Sequence, residues 1–173
     1  EKINKPKGQH SFSLKVLSPK LWSTEAPKLY TCRVTLVSKA GTMSWEERFG
    51  FRHFEFKEKG PFYLNGKQLL LKGTHRHEDH AGIGAAMTEE LIEREMKLMK
   101  EMGVNFIRLG HYQQSRIVLN MCDQLGILVW EEIPWCRGGL GGVSYQEQAQ
   151  NMLTNMITQH RNHPSIILWG LGN

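Results

Sequence analysis

The hydrophobic rhythm of the chain changes once, at Gly60-Pro61, and no other feature limits the fold as strongly. Before that point apolar residues alternate with polar ones, the period of half-buried strands. Ser11-Phe12-Ser13-Leu14-Lys15-Val16-Leu17 has this pattern, and so does Tyr30-Thr31-Cys32-Arg33-Val34-Thr35-Leu36-Val37. Ala40-Gly41 then reads as a turn into a third strand, Met43 to Phe49. Three or four such strands are part of a β-sandwich.

Beyond Gly60-Pro61, Phe62-Tyr63-Leu64 and Gln68 to Lys72 flank Asn65-Gly66, and this predicts a hairpin whose turn needs positive φ angles. Strands then alternate with helices. Thr88 caps a first helix, with Glu89 and Glu90 near its positive end, Ile92, Met96 and Met99 on one face, and Gly103 at its close. Val104 to Leu109 is a strand. Ser115 caps a second helix with Val118, Cys122 and Leu125 on one face before Gly126, and Ile127 to Trp130 is the next strand. Ser144-x-x-Glu147 reads as a capping box opening a third helix, whose Met152, Met156 and Ile157 point inward. Asn162-His163-Pro164 ends it, and Ile166 to Trp169 is a fourth strand. Apolar strands alternating with helices imply parallel βα units joined by right-handed crossovers, wound into a barrel or an open sheet. The expected architecture is a partial sandwich over residues 1–60, then four α/β strands over 61–173. Four strands are half of a (β/α)8 barrel, and the methionine stripes are core.

Composition excludes several partners. The net charge of +5 is spread among carboxylates, as in Lys57-Glu58-Lys59, with no basic stripe for nucleic acid. No apolar run is long enough to span a bilayer, and Glu1 to Lys5 lacks the apolar centre of a signal peptide. Three cysteines, Cys32, Cys122 and Cys136, have no paired metal spacing. Cytoplasmic, periplasmic and secreted placements all stay open, as does homo-oligomerisation of the parent protein.

Polar residues gather at the C-terminal ends of the barrel-type strands, where such barrels carry their active sites. They are His75-Arg76-His77-Glu78-Asp79-His80, Arg108-Leu109-Gly110-His111-Tyr112, Glu131-Glu132-Ile133-Pro134-Trp135 and Gly172-Asn173. Any one of these groups is ordinarily structural, but four converging on one mouth suit a polyhydroxylated substrate. Its hydroxyls need many partners, and its C–H faces stack on indoles such as Trp135 and Trp169.

Several motifs resemble glycoside hydrolase family 2, the family of β-galactosidases and β-glucuronidases. Leu21-Trp22-Ser23-x-Glu25-x-Pro27-x-Leu29-Tyr30 and Gly50-Phe51-Arg52 resemble its central immunoglobulin-like domain. Leu64-Asn65-Gly66-Lys67, then Lys72-Gly73-x-x-Arg76-His77-Glu78, resemble the domain junction and first barrel strand. Asn105-x-x-Arg108-x-x-His111-Tyr112 resembles the second-strand signature. Arg161-Asn162-His163-Pro164-Ser165 to Trp169-Gly170-x-Gly172-Asn173 resembles the fourth. The resemblance implies a retaining, exo-acting β-glycosidase acting on a β-linked carbohydrate, without a cofactor. It implies that an acid/base glutamate directly follows Asn173 and that the nucleophile lies on a later strand, so neither is in this chain. Carried over by position, His77, His111 and Asn173 contact sugar hydroxyls, Arg108 holds the pocket floor, and Trp135 lines it. Arg76, Glu78, Glu132 and Trp169 support the pocket. Where magnesium-binding galactosidases place a Glu and a His after the third strand, this chain has Cys136-Arg137-Gly138, so no metal site is expected there. Leu109-Gly110 and Gln113 also depart from the second-strand signature, and the Gly138 to Gly142 loop is unusual; these leave the preferred sugar open.

Two rival readings remain. One is a non-catalytic carbohydrate-binding relative. The other is a metal-dependent amidohydrolase-like barrel, in which His75-x-His77 would hold a divalent ion.

Overall fold

The computed structural model describes residues 11, 13–139 and 141–173, so Glu1 to Lys5, Phe12 and Leu140 lie outside the described residues. Among the described residues, nine strands and three helices follow in the order β1 (Tyr30–Ser38), β2 (Gly41–Phe49), β3 (Phe54–Phe56), β4 (Phe62–Leu64), β5 (Lys67–Gln68), β6 (Gly73–Arg76), α1 (Glu89–Glu101), β7 (Phe106–Leu109), α2 (Arg116–Leu125), β8 (Leu128–Glu132), α3 (Val143–His160) and β9 (Ile166–Gly170).

The β-rich half contains one long hairpin, β1 with β2, antiparallel from Tyr30↔Phe49 to Ser38↔Gly41. Its turn is Lys39-Ala40, and Gly41, at φ 132°, already belongs to β2. Near the barrel the hairpin carries an aromatic cluster, Tyr30 with Phe49 and Phe51. Toward its tip the apolar side chains Leu36, Val37, Met43 and Trp45 are exposed. Leu36, Met43 and Trp45 share one face, the one a second sheet would cover in a sandwich, and Val37 lies on the other. The alternating segment Ser11–Leu17 is not a strand where it is described, and Leu14, Val16 and Leu17 are exposed. Alternation makes a strand only when a neighbour accepts its hydrogen bonds, and none of the described residues does so.

A second, small sheet has the order β3-β4-β5. Asn65 (φ 53°) and Gly66 (φ 77°) turn β4 into β5 as expected, but the returning strand is only two residues long. β3 was not legible in the sequence, and residue 60 lies between two strands of this one sheet. Phe62 and Leu64 pack with Trp22, Leu128 and Ile167, closing the N-terminal end of the barrel strands. Polar ties fix the first half to that end. Arg52 donates to the carbonyls of Pro164 (2.9 Å) and Ile166 (2.7 Å), and Trp22 Nε1 donates to the Asp123 carbonyl at 2.8 Å. Gly50 has to be glycine here, because a Cβ would lie 2.9 Å from the Pro164 ring.

The third sheet is the barrel segment, four parallel strands in the order β6-β7-β8-β9. α1 and α2 cover one side of it, burying Ile92, Met96, Val118, Leu119 and Cys122 against Ile107, Leu109, Val129 and Ile166. Truncating a filled core position such as Met96 to alanine would cost about 2–5 kcal/mol. The Thr88 hydroxyl accepts from the Leu91 N–H, and the Ser115 hydroxyl accepts from the Ile117 N–H. Gly126 ends α2 in the left-handed conformation. The capping box at Ser144 is not formed. α3 begins two residues earlier, with Gly142 rather than Ser144 at its N-cap and no side-chain cap, so Ser144 lies inside the first turn. Of its inward residues Met156 is buried, while Met152 and Ile157 are half-buried. Among the described residues no helix is long and apolar enough to cross a membrane.

Candidate active site

Strand register sorts the candidate residues into two rows. Side chains alternate across a strand, so residues paired along one register line share a face. His75 pairs with Arg108, Arg108 with Trp130, and Trp130 with Leu168. The next line runs Arg76, Leu109, Glu131, Trp169. Leu109 and Trp169 pack against the α1–α2 core, so the second row faces the helices and the first faces the barrel interior.

Glu132 is at the centre of the interior face. It is the last residue of β8 and is fully buried. Arg108 Nη2 donates to its Oε2 at 3.0 Å, Arg108 Nε reaches the same oxygen at 3.3 Å, and His111 Nδ1 lies 2.6 Å from its Oε1. The guanidinium also lies over the Trp130 ring at 4.4 Å and donates to Asn173 Oδ1 at 3.1 Å. One carboxylate thus holds an arginine and a histidine, and through the arginine an asparagine. Gly170 sits opposite Glu132 because a Cβ there would be 2.6 Å from the Glu132 Cβ and 2.4 Å from Trp130 Nε1. A buried charge is tolerated when it is paired and hydrogen-bonded, and here it accepts from two partners.

Asn173 and Trp135 are joined through the backbone: the Asn173 N–H donates to the Trp135 carbonyl at 2.9 Å. Gly172, at φ 134°, lies against the Trp135 ring, where a Cβ would come within 2.4 Å. The indole N–H groups of Trp130 and Trp135 are buried without a protein acceptor.

The glycosidase reading of the sequence gave His75 no role, although His75 stands in the strand-end group and the metal-binding alternative paired it with His77. Its ring centroid is 4.8 Å from that of His77 and 4.9 Å from that of His111, and His77 and His111 are 5.4 Å apart. Desolvation, then the neighbouring His77, His111 and Arg108, lowers the proton affinity of His75 below the ordinary histidine range. The available signal was spacing, since His77 lies two residues after His75, just past the end of the first barrel strand, and two-residue spacing returns a side chain to the same face.

Three residues named as pocket support lie elsewhere. Trp169 packs on the helix-side core rather than offering its face to a ligand, because its register partner is Glu131. Arg76 is buried behind the sheet, donating to Gln114 Oε1 at 2.6 Å and Glu95 Oε2 at 3.1 Å. Glu78 accepts from the Ser115 N–H at 2.9 Å, which ties the β6 loop to the start of α2. Arg76 and Glu78 therefore brace the mouth from outside. Glu132, by contrast, is within the site.

Comparison with known proteins identifies this arrangement. Residues 54–173 match the model of the family described as glycosyl hydrolases family 2, TIM barrel domain, and residues 1–52 match that of glycosyl hydrolases family 2. The chain belongs to glycosyl hydrolase family 2. Among solved family members, Bacteroides uniformis beta-glucuronidase 3 is 68% identical with a TM-score of 0.88, over 91% of this chain and 20% of that one. Parabacteroides merdae beta-glucuronidase is 65% identical with the same TM-score and the same coverage of each chain. A beta-galactosidase of Thermoanaerobacterium thermosulfurigenes is 40% identical over 95% of this chain and 23% of its own length. The chain thus spans about a fifth of the length of the relatives it matches.

Proposed function

We propose that the full-length protein containing this chain is a retaining, exo-acting β-glycosidase of β-glucuronidase type. On this reading residues 1–60 are the C-terminal part of an immunoglobulin-like domain, and residues 61–173 are the first half of the catalytic barrel. The observation that carries the proposal is the Glu132 network, in which a carboxylate at the end of β8 holds Arg108 and His111 at the end of β7 and, through Arg108, Asn173 after β9. The higher identity to the two β-glucuronidases than to the β-galactosidase supports the uronide over the galactoside.

The network's chemistry follows from its donors and acceptors. Arg108 occupies Asn173 Oδ1 and Asn173 Nδ2 donates one N–H to Cys136 Sγ at 3.7 Å, which leaves its second N–H for a sugar hydroxyl. Glu132 holds His111 by Nδ1, which leaves Nε2 for a hydroxyl. In the retaining reaction one carboxyl protonates the leaving oxygen, and a second, about 5–5.5 Å away, attacks the anomeric carbon to form a glycosyl-enzyme that water then hydrolyses. The acid/base glutamate belongs directly after Asn173, beside the Arg108 guanidinium, and the nucleophile on a later strand. Arg108 then lies where it offsets negative charge on the paired carboxyls, and its tie to Glu132 keeps it from folding into the pocket.

The test is an assay of the full-length protein on aryl β-glucuronide and aryl β-galactoside, with the first-formed anomer read by NMR. Preferred turnover of the glucuronide with retained configuration is expected. An inverted product rules out the mechanism, and absence of turnover on either substrate favours a carbohydrate-binding relative.

A further inference from the structure

Three imidazoles converge where hydroxyl recognition called for two. One ring nitrogen from each of His75, His77 and His111 lies within 4.8 Å of the others. They come from two adjacent strand ends, and each is held in a different way. His111 is oriented by the fully buried Glu132, 2.6 Å from its Nδ1, which leaves Nε2 as the free lone pair. A carboxylate fixing the far nitrogen is the usual outer shell of a metal-binding histidine. The His75 ring rests on Gly110, where a Cβ would lie 2.4 Å from His75 Nε2, so the absence of a side chain at 110 is what admits this ring to the cluster. His77 is exposed and free to turn.

We propose that His75, His77 and His111 form a binding site for a zinc-class divalent ion in the mouth of the barrel. Three imidazoles and one open position are a common tetrahedral zinc set, with Zn–N distances of about 2.0–2.1 Å. Such distances place the nitrogens about 3.4 Å apart, so the exposed His75 and His77 rings close by roughly 1 Å on binding. A set of nitrogens without a carboxylate ligand selects zinc, nickel or copper and gives magnesium nothing hard to bind. The absence of magnesium ligands expected at Cys136 to Gly138 is a separate matter and is unaffected. The bound ion occupies groups that the glycosidase reading assigns to sugar hydroxyls. On that reading, and only there, zinc is a reversible inhibitor competing with substrate.

Calorimetric titration of the metal-free full-length protein with zinc chloride, and separately with magnesium chloride, tests the site without any substrate. One zinc ion per chain and no magnesium binding are expected. His75→Ala, an exposed position, should weaken zinc binding roughly tenfold or more, the scale on which disturbing a metal's ligand shell is felt. Its melting curve in EDTA should match the parent's. Failure of zinc to bind, or zinc binding that His75→Ala leaves unchanged (an ion held by cysteine instead), overturns the proposal. The kinetic arm is independent: zinc should raise KM for the aryl glycoside without lowering kcat, and bound zinc that leaves KM unchanged overturns the inhibitory role. Absence of turnover in EDTA would sink the glycosidase reading alone and leave the calorimetric result standing.

Discussion

Glu131 and Glu132 are neighbours on β8, both fully buried and both bonded to a histidine, yet they face opposite sides of the sheet. Glu131 faces the helices, where His160 Nδ1 meets its two oxygens at 2.9 and 3.0 Å and Gln113 approaches the other side of the ring. Glu132 faces the mouth and holds Arg108 and His111. The first pair locks the end of α3 to the sheet. The second holds groups that reach toward open space. The same residue type in the same burial class therefore has two meanings, and strand parity separates them.

The largest effect that would sharpen this contrast is kinetic. Glu132→Gln in the full-length enzyme should lower kcat/KM about 100-fold, the penalty for a roughly 1 Å misplacement of site groups. Glu131→Gln should leave kcat/KM nearly unchanged and lower the melting temperature. Equal kinetic losses at both positions would dissolve the comparison. A somewhat smaller effect separates the two histidines. His111→Ala or Asn173→Ala should cost about 2 kcal/mol in kcat/KM, since hydrogen bonds to the sugar strengthen in the transition state. His160→Ala should cost a similar amount in folding stability instead, because it leaves Glu131 buried without a partner. Denaturant titration beside steady-state kinetics reads both.

A weaker effect concerns pH. The folded chain binds a proton on His75 less readily than the unfolded chain does, so the group opposes folding once the unfolded ring is protonated. Its penalty is absent above about pH 6.5 and grows as the pH falls from there toward the lower folded value. His75→Gln should therefore shrink the drop in melting temperature between about pH 7.5 and pH 5.5. An unchanged drop would show that the mouth does not resist protonation at this ring. The smallest expected effect is that of chelation: EDTA should leave kcat nearly unchanged, because Cys136-Arg137-Gly138 occupies the stretch where magnesium ligands would stand. A large loss restored by magnesium would contradict that reading.

Local chemistry made much of the fold readable. The turn at Asn65-Gly66, the caps at Thr88 and Ser115, and the stop at Gly126 are contacts within a few residues, and each forms as its sequence implies. Errors arose where the outcome depended on a distant partner. Ser11–Leu17 has the pattern of a strand but no ladder partner among the described residues, and β3 is too short to show a period. The Ser144 capping box is a local exception, since the helix already starts at Val143 and puts Ser144 inside its first turn.

The candidate site divides in the same way. Clustering of Arg108, His111, Glu132 and Asn173 at strand ends was legible because βα units put every such end on one rim. Which side of the wall a residue faces was not. His75, Arg76, Glu131 and Trp169 are all polar or aromatic and all near the rim. A bulge between Val129 and Trp130 shifts the register that decides where β9's residues fall. The sequence by itself determined the elements, their order and the rim where chemistry collects, because turns, caps and periodicity act over short spans of chain. Only the tertiary structure decided that Glu132 rather than Glu131 organises the mouth, that Trp169 is core and that a third histidine joins the pocket. A side chain's face depends on pairing between strands some twenty to forty residues apart, and at a period of two a shift of one residue exchanges inside for outside.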